Sequence, residues 1–240
     1  MGTQNLTSHI SHLTSHYVII VAGGSGTRMQ SAVPKQFLLL KGKPVVMHTI
    51  EAFHSSETQP GIILVFHPDF HLYWEQLCQE YNFTIPHQFV TGGDTRFQSV
   101  KNGLAIIPAD VDALVAVHDA VRPLTSTKII DESYLSAAAK GNAVTAVKSR
   151  DSVRLLKNGS SAALVRDEVC LVQTPQTFRL AQLKKAYEQP YSEKFTDDAS
   201  VVEATGVPIH LIEGSYQNIK ITFPEDIAIA ELFIVHGSWS

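Results

Sequence analysis

Apolar positions in this chain fall into short unbroken runs, and stretches of helical spacing lie between them. Tyr17–Ala22 (YVIIVA) is β-branched and stops at glycines, which predicts a buried strand. Gly61–Phe66 (GIILVF), halted by His67-Pro68, predicts a second; Ala113–His118 (ALVAVH) a third; Ala143–Val147 a fourth. Pro44–Phe53, Phe70–Tyr81, Thr95–Ile107 and the alanine-rich Ser126–Lys140 carry helical spacing, and the Thr95 helix is entered from a Thr91-Gly92-Gly93-Asp94 loop. Alternating strands and helices predict an α/β fold, with a mostly parallel sheet covered on both faces. Such sheets bind ligands beyond the carboxyl ends of their strands, so Gly23–Met29, His118–Pro123 and the stretch after Val147 matter most.

The alternation breaks over Lys148–Gln173. Three short runs stand there, Ser152–Leu156, Ala162–Val165 and Val169–Val172, with the hairpin dipeptide Asn158-Gly159 between the first two. This predicts a β-arm leaving the main domain. A lone hairpin is marginal in water, so the arm must pack on something, and a second subunit suits it. The α/β pattern resumes with Leu180–Gln189, Asp197–Thr205, strands at Ile209–Ile212 and Asn218–Thr222, and a last helix from Pro224. Pro224-Glu225-Asp226 suits a helix start, with proline in the first turn and acids near the positive end of the dipole. Residues 1–16 are set aside as a disordered leader. Residues 17–236 then form one domain, with the arm at about 149–172.

Composition narrows the function classes. The 240 residues carry 19 Lys+Arg against 23 Asp+Glu, a net charge of −4, which argues against binding nucleic acid through overall charge. Basic residues that meet an anion must be local. No apolar run approaches the roughly 18 residues of a membrane span, and the N-terminus has no signal-peptide pattern. Cys78 and Cys170 have no C-x-x-C partner, which fits reduced thiols and a cytoplasmic protein. His9, His12 and His16 lie in the leader. His67 and His71, four apart, have no third ligand nearby and read as solvated.

The first strand runs into Ala22-Gly23-Gly24-Ser25-Gly26-Thr27-Arg28-Met29, and glycines let backbone N–H groups approach a phosphate. Met29 stands where the dinucleotide pattern needs its third glycine, which counts against a dehydrogenase, and the P-loop pattern is absent. Two cations follow, Arg28 and, in Pro34-Lys35-Gln36, Lys35. Arginine offers phosphate a planar fork and lysine a movable point charge, so loop and cations together point to a polyphosphate.

A-G-G-x-G-x-R-M followed by P-K-Q resembles nucleotidyltransferases that join a nucleotide to a sugar or polyol phosphate. Within them the chain resembles the 2-C-methyl-D-erythritol 4-phosphate cytidylyltransferase family. Further blocks stand in family order: Gly92-Gly93-Asp94-Thr95-Arg96 with Ser99-Val100 and Asn102-Gly103-Leu104; His118-Asp119-Ala120-Val121-Arg122-Pro123; Gln173-Thr174-Pro175-Gln176 with Phe178; Phe195-Thr196-Asp197-Asp198-Ala199; and Asn218-Ile219-Lys220-Ile221-Thr222. The resemblance implies a Rossmann-like nucleotidyltransferase sheet, a homodimer built through the arm, and Mg²⁺ as cofactor. It implies that Ala22, Gly23, Gly24, Ser25, Gly26, Thr27, Gly93, Asp94, Ser99 and Ala120 meet the nucleotide. It assigns Arg28 and Lys35 to the triphosphate and Lys220 to the α-phosphate. Asp119, Arg122, Ser152, Arg166 and Thr196 fall to the polyol phosphate, and Asp119 is the one carboxylate to weigh as a metal ligand. From the residues alone, Asp119 and Arg122 also fit a surface ion pair, Thr196 a helix cap and Lys220 a surface strand lysine. Val121 and Ser152 replace the family's usual Ala and Thr, and Leu164-Val165-Arg166-Asp167 replaces a more polar run.

The implied reaction joins CTP and 2-C-methyl-D-erythritol 4-phosphate and releases pyrophosphate. The attacking phosphate is already anionic, since its second pKa is about 6, so no strong base is required. The obstacle is one anion approaching another, which cations must offset. A ribitol 5-phosphate cytidylyltransferase and a non-catalytic nucleotide sensor share the same scaffold and stand as alternatives.

Overall fold

The structure is a computed structural model that describes residues 15–22 and 33–236. In chain order come β1 (Ser15–Val21), β2 (Leu39–Leu40), β3 (Lys43–Pro44), α1 (Val45–His54), β4 (Gly61–Phe66), α2 (His71–Glu80), β5 (Gln88–Thr91), α3 (Arg96–Ala105) and β6 (Ala113–Asp119). Then follow α4 (Thr127–Lys140), β7 (Asn142–Lys148), β8 (Arg154–Lys157), β9 (Ser160–Ala163), β10 (Cys170–Arg179), α5 (Leu180–Ala186), α6 (Asp198–Glu203), β11 (Leu211–Glu213) and α7 (Glu225–His236). Among the described residues no helix is long and apolar enough to cross a membrane.

Seven strands form the main sheet in the order β11-β7-β10-β6-β1-β4-β5. All neighbours are parallel except β10, which runs antiparallel to both β6 and β7. Alternate side chains serve opposite faces, the period-two rule of a strand. Val18, Ile20, Leu64 and Leu114 pack with α1, α2 and α4 through Met47, Ile50, Trp74 and Ile130. Ile19, Val21, Val65 and Val115 pack on the other face with α3, α5 and α6 through Val100, Leu183 and Val201. Each such buried aliphatic side chain is worth roughly 1.5–3 kcal/mol. A third cluster seats α7 beside the mouth of β6, joining Ala230 to Leu40, Val121, Leu124 and Ile221.

Helix ends follow local chemistry. Thr95 caps α3 by accepting from Gln98 N at 3.0 Å, and Ser126 caps α4 by accepting from Ile129 N at 3.3 Å. Gly141 closes α4 at φ 94°, a conformation a side chain would strain. Asp226 accepts from the amides of Thr222 and Phe223 at 2.7 and 2.8 Å and so fixes the start of α7.

Several expectations need correction. β1 begins at Ser15 and pairs Ser15 and His16 with Ala113 and Leu114, so these two residues, set aside with the leader, belong to the sheet. His9 and His12 lie outside the described residues. The third run of the arm belongs to β10: Cys170, Leu171 and Val172 pair with Lys148, Val147 and Ala146 of the main sheet. β10 then shifts register between Val172 and Gln176, which takes Gln173, Thr174 and Pro175 out of the ladder. The arm itself holds only β8 and β9, joined by Asn158 (φ 50°) and Gly159 (φ 77°), both in the left-handed region that a tight hairpin turn requires. Asn218–Thr222 is not a strand. It meets β6's outgoing loop through one backbone bond, Ile221 N to Val121 O at 2.9 Å. Its alternation is real but serves two surfaces: Ile219 and Ile221 pack on the α7 cluster, and Asn218 and Lys220 take the other side.

Candidate active site

Asp119 is the last residue of β6 and is 8% exposed. Three cations converge on its carboxylate. Lys220 Nζ lies 3.0 Å from Oδ2, Arg122 Nε 3.4 Å from the same oxygen, and Arg96 Nε 3.7 Å from Oδ1. Arg96, in the first turn of α3, also forks onto Asp198 with bonds of 2.9 and 2.6 Å, and Tyr187 Oη donates to Asp198 Oδ1 at 2.6 Å. Asp198 is fully buried, so this bidentate pair and the phenol satisfy a carboxylate that water cannot reach.

Neighbouring strands bring the rest together. Ala120 N donates to Val21 O at 3.0 Å, and Ala22 N donates to Val65 O at 2.8 Å, which places the end of β1 beside Asp119. Gln36, buried in the turn Lys35–Phe37, donates to Ala22 O at 3.1 Å. Lys35 Nζ donates to Ile221 O at 3.3 Å, one residue beyond Lys220. Lys35, Ala22, Asp119, Arg122 and Lys220 therefore meet where β1 and β6 end, as the ligand-crevice rule of open sheets requires.

Burial alone would raise the Asp119 pKa. The charges of Arg96, Lys220 and Arg122 outweigh it and hold the carboxyl well below the usual carboxylate range. Burial draws the Arg122 pKa down, and Asp119 opposes that. Three cations facing two carboxylates leave local positive charge, and Lys35 adds to it, so the crevice favours an anion. His118, one residue before Asp119, is fully buried, and burial takes its pKa down to about 3, so the ring is neutral.

In the loop between β5 and α3, Gly93 N donates to Ser99 Oγ at 3.1 Å, and Ser99 Oγ donates to Thr95 O at 3.0 Å. A Cβ on Gly93 would lie 2.6 Å from Gln98 Cβ, so the loop can fold onto α3 only with glycine there. Asp94 is exposed. Ala120 is buried, and its carbonyl accepts from Thr49 Oγ1 at 2.9 Å. Ser152 and Arg166 are exposed on the arm; Arg166 Nε lies 3.5 Å from Asp167 Oδ1, and neither residue joins the cluster around Asp119. Thr196 is exposed and does not cap α6. That role falls to Asp197, which forms a capping box with Ser200. Gly23, Gly24, Ser25, Gly26, Thr27 and Arg28 lie outside the described residues.

Metal binding by these residues is a poor fit. The Asp119 carboxylate is taken up by three cations, and no group of three or more His, Cys, Asp or Glu among the described residues is arranged to hold an ion. His67 and His71 are exposed and lie 3.3 and 3.4 Å from Asp69 and Glu75 respectively.

Sequence reading missed Arg96, Asp198 and Asn218 as parts of this site. A signal existed for Arg96. A cation in a first helical turn opposes the helix dipole and calls for a fixed carboxylate partner.

A family model described as 2-C-methyl-D-erythritol 4-phosphate cytidylyltransferase (IspD) matches residues 16–236. A protein of that name from Azobacteroides pseudotrichonymphae is 50% identical over 219 residues, covering 91% of this chain and 98% of the relative. One from Phocaeicola vulgatus is 46% identical over 220 residues, covering 92% and 100%. Among solved structures, the 4-diphosphocytidyl-2C-methyl-D-erythritol synthase of Anaerococcus prevotii superposes with a TM-score of 0.81 at 26% identity, covering 95% of this chain and 99% of that one. The Francisella tularensis 2-C-methyl-D-erythritol 4-phosphate cytidylyltransferase gives 0.75 at 32% identity, covering 91% and 99%. By sequence over nearly its whole described length, the chain belongs to the 2-C-methyl-D-erythritol 4-phosphate cytidylyltransferase family.

Proposed function

We propose that this chain transfers the cytidylyl group of CTP to 2-C-methyl-D-erythritol 4-phosphate, giving 4-diphosphocytidyl-2-C-methyl-D-erythritol and pyrophosphate. The observation that carries the reading is the convergence of Lys220, Arg122 and Arg96 on Asp119 at the mouth of β6, in a chain of this family. An oxygen of the acceptor phosphate attacks the α-phosphorus of CTP, the bond to the β-phosphate's bridging oxygen breaks, and pyrophosphate leaves with that oxygen. The attacker is anionic near neutral pH, so the work of the protein is positioning and charge compensation.

The roles divide by place. Arg28, Lys35 and the glycines and Ser25-Gly26-Thr27 of the first loop take the triphosphate. Ala22, Ala120, Gly93, Asp94 and Ser99 frame the nucleoside. Lys220 meets the α-phosphate. Arg122 and Thr196 meet the acceptor, and Asp119 holds the cations in register. The metal dependence of such transfers is assigned to Mg²⁺ carried on the phosphates of CTP, because the protein's carboxylates form no cage for it. The arm, with Leu156 79% and Val165 61% exposed, is assigned to a homodimer in which Ser152 and Arg166 reach the partner's acceptor. The enzyme is placed in the cytoplasm.

Pyrophosphate release with CTP and Mg²⁺ tests the reading, with 2-C-methyl-D-erythritol 4-phosphate and ribitol 5-phosphate offered separately. Release with the first alone is expected. Release with ribitol 5-phosphate alone would move the protein to a different acceptor, and CTP binding without release from either would make it a sensor.

A further inference from the structure

Lys220 sits on a segment with no sheet ladder, yet its ammonium shares one oxygen of Asp119 with the Arg122 guanidinium. Two cations on one oxygen repel each other, so something rigid must hold them. Asn218 is in place to do so. It is 0% exposed, and all its polar groups are engaged by different parts of the chain. Its backbone N–H donates to Ser215 O at 3.0 Å, and its carbonyl accepts from Arg122 Nη1 at 2.7 Å. Its side-chain Oδ1 accepts from Thr125 Oγ1 at 2.8 Å, and Nδ2 donates to Thr174 O at 2.9 Å and to Gln173 Oε1 at 3.4 Å. The amide orientation follows from these partners, because a carbonyl such as that of Thr174 can only accept.

Thr174 closes the circuit. It stands in the stretch where β10 leaves its ladder, which frees its carbonyl for Asn218, and its hydroxyl accepts from Asp119 N at 3.1 Å. The Asn218 side chain thus ties the segment carrying Lys220 to the strand end carrying Asp119 and to the loop carrying Arg122.

We infer that Asn218 is a positioning residue for the transfer, locking Lys220 and Arg122 onto Asp119 in the arrangement that receives the reacting phosphates; this rests on the proposed function above. The Asn218 carboxamide touches no substrate in this account. It acts through Lys220 and Arg122.

The test is a double-mutant cycle on pyrophosphate release, with Asn218→Ala made alone and together with Lys220→Met. Misplacement by about an ångström costs up to roughly a hundredfold, so Asn218→Ala is expected to lower kcat by about ten- to a hundredfold. Its KM for CTP should stay within about twofold, because Lys220 is assigned to the α-phosphate as the transition state forms, and losing an interaction made only there lowers kcat without raising KM. On the Lys220→Met background the same change should cost less than about threefold, since residues that act as a unit are not additive. A full loss in both backgrounds, or a loss confined to KM for CTP, overturns the positioning role while leaving Lys220 in the reaction. Normal turnover by Lys220→Met overturns both the assignment of Lys220 and this inference. If Asn218→Ala does not fold, Thr125→Val carries the same cycle. It removes one hydroxyl at constant shape and should show the same pattern at smaller size, and additivity there overturns the inference equally.

Discussion

The Lys220 ammonium lies 3.0 Å from Asp119 Oδ2, although Lys220 comes from a segment outside any sheet and Asp119 from the end of a central strand. The side chain of Lys220 is 44% exposed and that of Asp119 is 11% exposed. The pair is therefore wet on the lysine side, where a phosphate can approach, and dry on the carboxylate side, where the geometry is fixed. An incoming anion can share the ammonium without breaking the scaffold beneath it.

Asp119→Asn removes the charge that offsets three cations. Breaking a buried pair from one side costs up to about 3–5 kcal/mol, and exposure of Lys220 and Arg96 brings the expected loss here to about 2–3 kcal/mol in urea unfolding. Added inorganic phosphate or pyrophosphate should recover part of it by filling the more positive crevice. A variant as stable as wild type, with no response to those anions, would show that the cations do not depend on Asp119.

Arg96→Lys keeps the charge and loses the fork onto Asp198. Asp198 is fully buried and keeps only Tyr187 as a strong side-chain partner, so a loss of about 2 kcal/mol is expected. α6 and the start of α3 should loosen together, read as faster hydrogen exchange at the bonded amides of Ala199 and Ser99. Unchanged exchange at both positions would mean that the fork does not couple the two helices.

Acid should weaken the fold through His118 and Asp119. Folded His118, with its pKa down to about 3, binds a proton less readily than an unfolded histidine near 6.5. Between those values the unfolded chain holds more protons, so stability falls as pH drops. Asp119 acts lower: its carboxyl is held well below 3.8, so its contribution is complete above that value and is lost progressively as pH falls below it toward the folded pKa. The urea midpoint should decline from about pH 7 to about pH 4.5, and His118→Leu, which keeps a bulky neighbour for Phe53, should flatten that decline. Parallel pH profiles for the two proteins would remove His118 from the account.

The arm offers a separate check. Leu155, Leu156, Leu164 and Val165 are 51%, 79%, 41% and 61% exposed, more apolar surface than two short strands should leave to water. Leu156→Lys paired with Val165→Asp should shift light-scattering mass from twice the chain mass toward the single chain. A monomeric wild type would dissociate the arm from dimerisation.

Much of this architecture was written in the pattern of apolar residues. Gly61–Phe66 and Ala113–His118 were legible because strands covered on both faces need unbroken apolar runs. The motif blocks singled out Asp119, Arg122 and Lys220, and the place after the glycine loop singled out Lys35; the structure brings these side chains to one crevice. The alternative of Thr196 as a helix cap fails because Asp197, one residue closer to α6, does that work with Ser200. Asn218–Thr222 was misread as a strand because an extended segment between an apolar cluster and a polar site alternates just as a ladder strand does. The length of β10 was hidden by Pro175, which suggests a break; the register shift there absorbs it. Asn218 and Asp198 stand in those motif blocks but received no role from the sequence, since their importance lies in partners from distant segments.

The most direct measurement is single-turnover release of pyrophosphate by wild-type protein and Lys220→Met, with CTP and 2-C-methyl-D-erythritol 4-phosphate both saturating. Removing one preorganised charge that stabilises the transition state costs about 3–4 kcal/mol, so the variant should be slower by roughly a hundred- to a thousandfold and should bind CTP nearly as well. A variant that releases pyrophosphate as fast as wild type would contradict the claim that the crevice around Asp119 is where the transfer occurs.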